Sequence, residues 1–142
     1  MKLVIDAGIL FTALSGKGIT KSLIFSRFIE LFAPEFLLEE IEAHKSKIVE
    51  FSKLSLEEID KLLALLMAKI NSVPREEFEA FLEKASSVIL DAKDTEYLAL
   101  SLAKGKMSIW SNDEHFKKQS LSKVFNTKEL VEELKSSGID LE

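Results

Sequence analysis

Short apolar runs alternate with longer helical patterns along this chain. Lys2–Ile5 is short, partly β-branched and ends on a charge, Asp6, a pattern typical of a buried strand. Residues 107–110 predict a second buried strand that leads to polar residues, and residues 123–125 predict a third. Further short extended segments are predicted before Pro34 and at residues 71–74 and 88–89.

The segments between these strands predict helices. Thr20 caps a helix whose apolar positions extend to Leu31, and Pro34 opens the first turn of another that continues through Ile48. Ser55 and Glu58 form a capping box for a helix whose apolar face extends to Ile70. Helices are also predicted over residues 76–85, over residues 91–104 with Gly105 as the left-handed stop, and from the Asn126–Glu129 capping box to Gly138.

Short apolar strands separated by helices indicate a parallel sheet that is covered on both faces. We therefore predict one domain over residues 1–142, a three-layer α/β/α sandwich with a central, mainly parallel twisted sheet. Ligand sites in such sheets lie outside the carboxyl ends of the strands. Asp6 follows the first strand and Asp113 follows the strand that ends at Trp110, so the two carboxylates are expected on one rim.

The composition and net charge exclude several classes of site and of protein. The 142 residues contain no cysteine, which excludes disulfides, thiolate metal sites and cysteine nucleophiles. The opening apolar run is too short for a signal peptide, and no run approaches the ~18 residues of a membrane span, so we expect a soluble cytoplasmic protein. The net charge of −5 argues against a module that holds nucleic acid through phosphates alone, but a metal-dependent nuclease carries acidic residues in its site.

Four ordered segments resemble the PIN domain family across nearly the whole chain. Residues 3–10 (LVIDAGIL) resemble the family's opening strand and first acid, and residues 34–44 (PEFLLEEIEAH) resemble the helix that carries the second acid. Residues 91–105 resemble the helix that an aspartate opens, and residues 109–116 (IWSNDEHF) resemble the strand that leads to a Ser/Thr-x-Asp turn.

The resemblance implies which residues form the site. By position, the four family acids, which are the catalytic and metal-binding residues, correspond to Asp6, Glu40, Asp94 and Asp113. Glu39 is a rival for Glu40, which we prefer because it directly precedes the apolar Ile41. Ser111 matches the small hydroxyl residue that helps to orient the site, and Asp91 is a supporting residue as the N-cap of the following helix.

Two positions depart from the family pattern. Many members carry asparagine two residues after the first aspartate, where this chain has Gly8. His115 stands where some relatives have a further aspartate. His44 lies one helical turn after Glu40, and we interpret it as a surface or supporting residue, since two histidines are too few for a zinc site.

The carboxylates support the same site on physical grounds. Packed acids repel one another, so some stay protonated near neutral pH until a divalent cation relieves the repulsion. Mg²⁺ or Mn²⁺ takes oxygen ligands, polarises a phosphoryl oxygen and activates a water for in-line attack. Taken singly, Asp94 and Asp113 fit the first turn or the cap of a helix, and Glu40 fits a solvated helix position.

The implied activity is a Mg²⁺- or Mn²⁺-dependent endoribonuclease similar to the toxin members of VapBC-type toxin–antitoxin pairs. RNA is the expected substrate, with homodimerisation and inhibition by a small antitoxin protein as implied partners. A weakly active or inactive PIN-fold protein that binds RNA or acts as a scaffold is the alternative, and a flap-type DNA nuclease is a third, for which the chain is short. Six cations are candidates for docking the substrate: Lys17, Lys21, Arg27, Lys93, Lys117 and Lys118.

Overall fold

A five-stranded parallel sheet organises the protein, seen here in a computed structural model that describes residues 1–16 and 18–140. The strands are β1 (Lys2–Ile5), β2 (Glu30–Pro34), β3 (Ile70–Val73), β4 (Ile109–Trp110) and β5 (Val124–Phe125). The α-helices are α1 (Ala7–Leu14), α2 (Thr20–Ile24), α3 (Leu37–Ala43), α4 (Lys45–Ser52), α5 (Leu56–Met67), α6 (Leu82–Ser86), α7 (Ala92–Ala103) and α8 (Thr127–Ser136).

The strand order is β3-β2-β1-β4-β5, so β1 lies at the centre of the sheet. Leu3, Val4 and Ile5 have no solvent exposure, as a central strand covered on both faces requires. Helix α7 packs against β1, β2 and β4, whereas α1 contacts α2, α3, α4 and α5. The predicted α/β sandwich is confirmed, and all its strand pairs are parallel.

Three of the predicted capping signals and the glycine stop are confirmed, but the predicted Thr20 cap is wrong, because Ile19 is the N-cap of α2 and no described side chain caps that helix. Both capping boxes form, at Ser55 for α5 and at Asn126 for α8. The Asp91 side chain accepts a hydrogen bond from the Lys93 amide and caps α7. Gly105 follows α7 with φ of 72°, the left-handed conformation that glycine adopts without a steric penalty.

The predicted helix from Thr20 to Leu31 is wrong in its second half. Helix α2 ends at Ile24, and Leu31 lies in β2, where it pairs with Leu3 on one side and Ile70 on the other. The strand pairing satisfies backbone groups on both edges of β2 and overrides a helical spacing of side chains. Pro34 is also not the first turn of a helix, because it is the last residue of β2.

The predicted continuous helix from Pro34 to Ile48 is divided at His44. The backbone of His44 leaves helical geometry at φ −113° and ψ 13°, and its ring Nδ1 lies 3.0 Å from the Glu40 carbonyl oxygen. Because a carbonyl oxygen only accepts, Nδ1 carries the proton in this contact. The side chain thereby satisfies an end carbonyl of α3 before α4 begins at Lys45.

Four further features differ from the predictions. Residues 76–85 are not one helix but two short 3₁₀ turns followed by α6, divided at the buried Phe78, whose φ is −131°. Residues 88–89 form no strand, and Ile70 belongs to β3 rather than to α5. Strand β4 contains Ile109 and Trp110 alone, since these are the residues that pair with β1 and β5.

Successive strands are added on one side of β1 and then on the other, so the point where the strand order switches lies between β1 and β4. From β1 the chain moves outward to β2 and β3, and it then returns to β4 and β5 on the other side. The carboxyl ends of two such strands form a crevice, where open α/β sheets bind ligands. In the described part of the chain, no helix is long and apolar enough to cross a membrane.

Candidate active site

An acidic cleft of about 360 Å³ opens at the carboxyl ends of β1 and β4. Five carboxylates line it, contributed by segments that are distant in sequence: Asp6, Glu40, Asp91, Asp94 and Asp113. The remaining lining residues are Ala7, Gly8, Phe11, Lys93, Tyr97 and Asn112. The structure therefore brings together all four predicted acids and the supporting Asp91.

Asp6 forms the floor of the cleft and is 7% exposed. It is the N-cap of α1, and its Oδ1 accepts a hydrogen bond from the Ile9 amide at 3.0 Å. Its Oδ2 accepts a hydrogen bond from the Ser111 hydroxyl. Burial, together with the negative charges of Asp113 and Glu40, raises the pKa of Asp6 from 3.8 to about 6, although these two hydrogen bonds oppose the shift.

Ser111 connects the two central strands at the floor. It follows β4 directly and is buried, so its hydroxyl reaches across to the aspartate that follows β1. Its Oγ also accepts a hydrogen bond from the Asp113 amide at 3.0 Å. One hydroxyl therefore contacts both the Asp6 carboxylate and the turn that carries Asp113.

Asp113 lies at the exposed rim, where its side chain is 42% exposed. Its Oδ1 accepts a hydrogen bond from the His115 amide at 2.9 Å and caps the 3₁₀ turn Glu114–Lys118. The His115 ring Nδ1 also lies 3.1 Å from that oxygen. The capping interpretation of Asp113 is correct, and it is compatible with a site role because these contacts are made to one carboxylate oxygen.

Glu40 and Glu39 occupy different environments although they are neighbours on α3. Glu40 lines the cleft and is half-buried, whereas Glu39 is exposed and does not line it. The hydroxyl of Tyr97 donates a hydrogen bond to Glu40 Oε1 at 3.1 Å. Burial raises the pKa of Glu40, although the hydrogen bond from Tyr97 opposes the shift. The geometry therefore favours Glu40 over Glu39 as the acid that faces the cleft.

Asp94 lies in the first turn of α7, where the helix dipole favours a negative charge. The side chain is half-buried, and its pKa is nevertheless raised to about 6. Burial is the largest cause, and the negative charges of Asp91 and Asp113 add to it. Two of the four acids therefore resist ionisation because of burial and because other acids lie nearby.

Tyr97 is a site residue that the sequence did not reveal. Its ring is buried between Phe36 and Phe116, at centroid distances of 5.4 and 6.5 Å, and only its hydroxyl takes part in the polar network. Burial and the charge of Glu40 raise the pKa of Tyr97, so it donates a hydrogen bond at neutral pH. A tyrosine at a core position of a helix is usually structural, and no pattern in the sequence distinguishes this one.

Most of the cations predicted to dock the substrate do not line the acidic cleft. Among the described residues, Lys93 is the one that lines the cleft. Lys117 forms an ion pair with Glu129, and Arg27 lies 4.9 Å from the centre of the Phe28 ring. Lys21 and Lys118 do not line the cleft, and Lys17 lies outside the described residues.

Gly8 is in the first turn of α1 and borders the cleft. A Cβ atom at this position would lie 3.5 Å from Asp6 Oδ1, an ordinary contact distance, and the backbone does not require glycine. A side chain could therefore begin at this position beside the Asp6 carboxylate, where the family resemblance expects asparagine. The departure from the family pattern is therefore a missing polar group rather than a change of backbone.

The chain belongs to the PIN domain family, because the family model matches residues 4–135. A solved structure agrees on the fold: VapBC2 from Rickettsia felis, bound to a DNA fragment from their promoter, contains a chain that matches with a TM-score of 0.62. The match is 14% identical and covers 89% of this chain and 98% of that chain. No curated protein matches the chain in sequence.

Proposed function

We propose that this PIN domain is a Mg²⁺- or Mn²⁺-dependent endoribonuclease that hydrolyses RNA phosphodiester bonds at the acidic cleft. The observation that supports it is the convergence of four acids, from four separate segments, at the crevice between the central strands. Besides capping α1, Asp6 has a pKa that burial and neighbouring acids raise to about 6, a perturbation that is common at functional sites.

The donor chemistry fits a hard divalent cation. All the acids offer oxygen, which Mg²⁺ and Mn²⁺ prefer, and the cleft has one lysine among its described lining residues to offset their charge. Asp6, Glu40, Asp94 and Asp113 would hold the cation. A bound divalent cation supplies the charge that polarises a phosphoryl oxygen and the acidity that makes water nucleophilic at neutral pH.

The chain's own residues prepare the site for this chemistry. Ser111 occupies Asp6 Oδ2, and Tyr97 occupies Glu40 Oε1, so each acid is held in one orientation. Holding ligands in place before the substrate arrives reduces the reorganisation that the reaction requires. Lys93, at the rim, carries the positive charge that would attract a phosphate to an otherwise negative cleft.

The substrate and one partner are proposed from the family: RNA is the substrate, and a second copy of this chain is the partner. The structural match to VapBC2 from Rickettsia felis motivates a small antitoxin as a further proposed partner. In that case the protein is the toxin of a toxin–antitoxin pair and acts in the cytoplasm.

A second candidate is a PIN-fold protein that binds RNA or acts as a scaffold with little or no catalysis. Two observations favour it. Gly8 leaves Asp6 without the amide that many relatives place beside it. Within the described residues, no group of three or more His, Asp or Glu side chains is close enough to hold a metal ion as it stands. Calorimetry with Mn²⁺ distinguishes the two candidates, because a scaffold would show no binding at millimolar concentration.

Adjacent glutamates provide a matched test of the chemistry. We expect the wild type to cut single-stranded RNA with Mn²⁺ and to lose this activity in EDTA. Glu40→Gln should lower kcat by about 100-fold or more, as expected when a group that positions the reaction is lost, whereas Glu39→Gln should retain activity. Asp6→Asn and Asp113→Asn should be inactive. Cleavage that persists in EDTA, or equal activity of the two glutamine variants, would refute the proposal.

A further inference from the structure

A second depression borders the acidic cleft between α1 and α4, with a volume of about 370 Å³. Its lining residues form two rows: Phe11 and Thr12 on α1 with Ser15 at its C-cap, and Lys47, Ile48 and Phe51 on α4 with His44 at its N-cap. Phe11 lines both this groove and the cleft, so the two adjoin at this side chain. We refer to it as the aromatic groove.

The groove has three rings, and one of them is open to solvent. Phe51 is 74% exposed, an unusual state for a phenylalanine on a helix of this size. The Phe11 and His44 rings are in edge-to-face contact, with centroids 5.6 Å apart, which fixes their planes. His44 is held further by the contact of its Nδ1 with the Glu40 carbonyl oxygen, which ties the groove wall to a residue of the acidic site.

The polar groups of the groove are hydrogen-bond acceptors and one cation. The Thr12 hydroxyl donates to the Gly8 carbonyl at 3.1 Å and the Ser15 hydroxyl donates to the Thr12 carbonyl at 2.7 Å. Because each hydroxyl hydrogen is already donated within the helix, each oxygen can still accept a hydrogen bond from an amino group. Lys47 is exposed at the edge, and no carboxylate in the described part of the chain lies within ion-pair distance of it.

We propose that the aromatic groove is a subsite for one unstacked nucleobase of single-stranded RNA, adjacent to the nucleotide whose phosphate lies in the acidic cleft. This inference rests on the proposed function for the class of substrate. Aromatic faces bind splayed-out bases, a lysine matches the neighbouring phosphate, and hydroxyl acceptors match the exocyclic amino groups of adenine, guanine or cytosine. The shared Phe11 places the two sites side by side, as a strand that passes from one to the next requires.

The test distinguishes binding to the bases of the RNA from binding to its phosphates. Binding of two fluorescein-labelled decamers would be measured by anisotropy with Mn²⁺: a mixed-sequence single-stranded RNA, and an abasic ribose-phosphate oligomer with the same number of phosphates. All variants would carry Asp113→Asn to suppress cleavage. Phe51→Ala should weaken binding of the RNA decamer about tenfold, because stacking on an aromatic ring is lost. It should leave binding of the abasic oligomer unchanged.

Two control variants keep the test specific. Leu65→Ala removes an apolar side chain of similar exposure, 60%, from α5 and outside the groove, and it should change neither affinity. Phe51→Trp should restore or strengthen RNA binding, since it keeps an aromatic face at the position. Equal loss of affinity for both oligomers would overturn the subsite. So would unchanged RNA binding by Phe51→Ala together with a loss of dimer in size-exclusion chromatography, which would assign the groove to a protein interface.

Cleavage measured in parallel, without the Asp113→Asn change, separates this inference from the proposed function. If the wild type does not cut RNA but Phe51→Ala selectively weakens binding of the base-bearing decamer, the nuclease proposal fails and the base subsite stands. If the wild type cuts RNA and Phe51→Ala leaves both KM and affinity unchanged, the subsite fails and the nuclease stands.

Discussion

Replacing Asp6 by asparagine should stabilise the metal-free protein at neutral pH while abolishing its activity. Asp6 is 7% exposed, and burial raises its pKa from 3.8 to about 6. An acid whose folded pKa is raised binds more protons when folded than when unfolded, so stability falls as pH rises from the unfolded pKa to the folded pKa. The ionised carboxylate is therefore a source of strain above pH ~6.

The size of the effect follows from the shift. A shift from 3.8 to about 6, at 1.36 kcal/mol per pKa unit, corresponds to about 3 kcal/mol of lost stability between fully acidic and neutral pH. About 2 kcal/mol of this is lost between pH 4.5 and 7.5, because the unfolded carboxyl is already largely ionised at pH 4.5. Asparagine carries no charge, so Asp6→Asn should lack this part of the pH dependence.

The replacement also has a cost that does not depend on pH. Asparagine can still accept the hydrogen bond from the Ile9 amide, but the Ser111 hydroxyl loses its carboxylate acceptor. A lost hydrogen bond of this kind costs about 1 kcal/mol. The net expectation for Asp6→Asn is a gain of about 2 kcal/mol at pH 7.5, or roughly 7 °C in Tm for a domain of this size, and little gain at pH 4.5.

The assay is urea denaturation of the wild type and Asp6→Asn in EDTA, at pH 4.5 and at pH 7.5, followed by circular dichroism. Asp60→Asn is a suitable control, because that aspartate lies on the exposed side of α5 and forms its ion pair with Lys45 at the surface. If the difference in unfolding free energy between wild type and Asp6→Asn is the same at both pH values, the Asp6 carboxylate is not strained by burial and the reasoning is wrong.

Three further predictions concern the same cleft. Tyr97→Phe should weaken Mn²⁺ binding several-fold in calorimetry, because Glu40 loses its hydrogen bond, and a variant with unchanged affinity would show that the hydroxyl does not position the acid. Gly8→Asn should raise the RNA cleavage rate roughly tenfold by placing an amide beside Asp6, with Gly8→Ala as the control that adds the Cβ alone and should not share the gain. Mn²⁺ at about tenfold its Kd should stabilise the wild type by about 1.4 kcal/mol in a thermal melt, and Asp94→Asn, which removes a proposed ligand, should lose most of this increase.

Local physical rules explain the parts of the fold that were predicted correctly. Caps at Ser55, Asp91 and Asn126, and the stop at Gly105, involve groups within a few residues of one another, so they are visible in the sequence. The buried strand Lys2–Ile5 was also visible, because a central strand is apolar at nearly every position.

The errors arose where pairing between distant segments decided the backbone. Residues around Leu31 have helical spacing, but the gap between β1 and β3 can be filled only by a strand. A single helix across His44 was consistent with the apolar pattern, and the contact of its ring with the Glu40 carbonyl ended α3 instead. Propensity is a weak guide where tertiary hydrogen bonds compete with it.

The sequence by itself determined the fold class and the expectation that Asp6 and Asp113 share one rim, because the alternation of strands and helices sends the carboxyl ends of parallel strands to one edge. Glu40 and Asp94, which lie on helices, became candidates only through the resemblance to the PIN domain family. Only the tertiary structure showed which of Glu39 and Glu40 faces the cleft. Both glutamates lie on α3, but the buried Tyr97 hydroxyl, 57 positions away, meets one of them. The tertiary structure alone also revealed the aromatic groove, since the side chains of α1 and α4 become neighbours through packing and not through spacing in the chain.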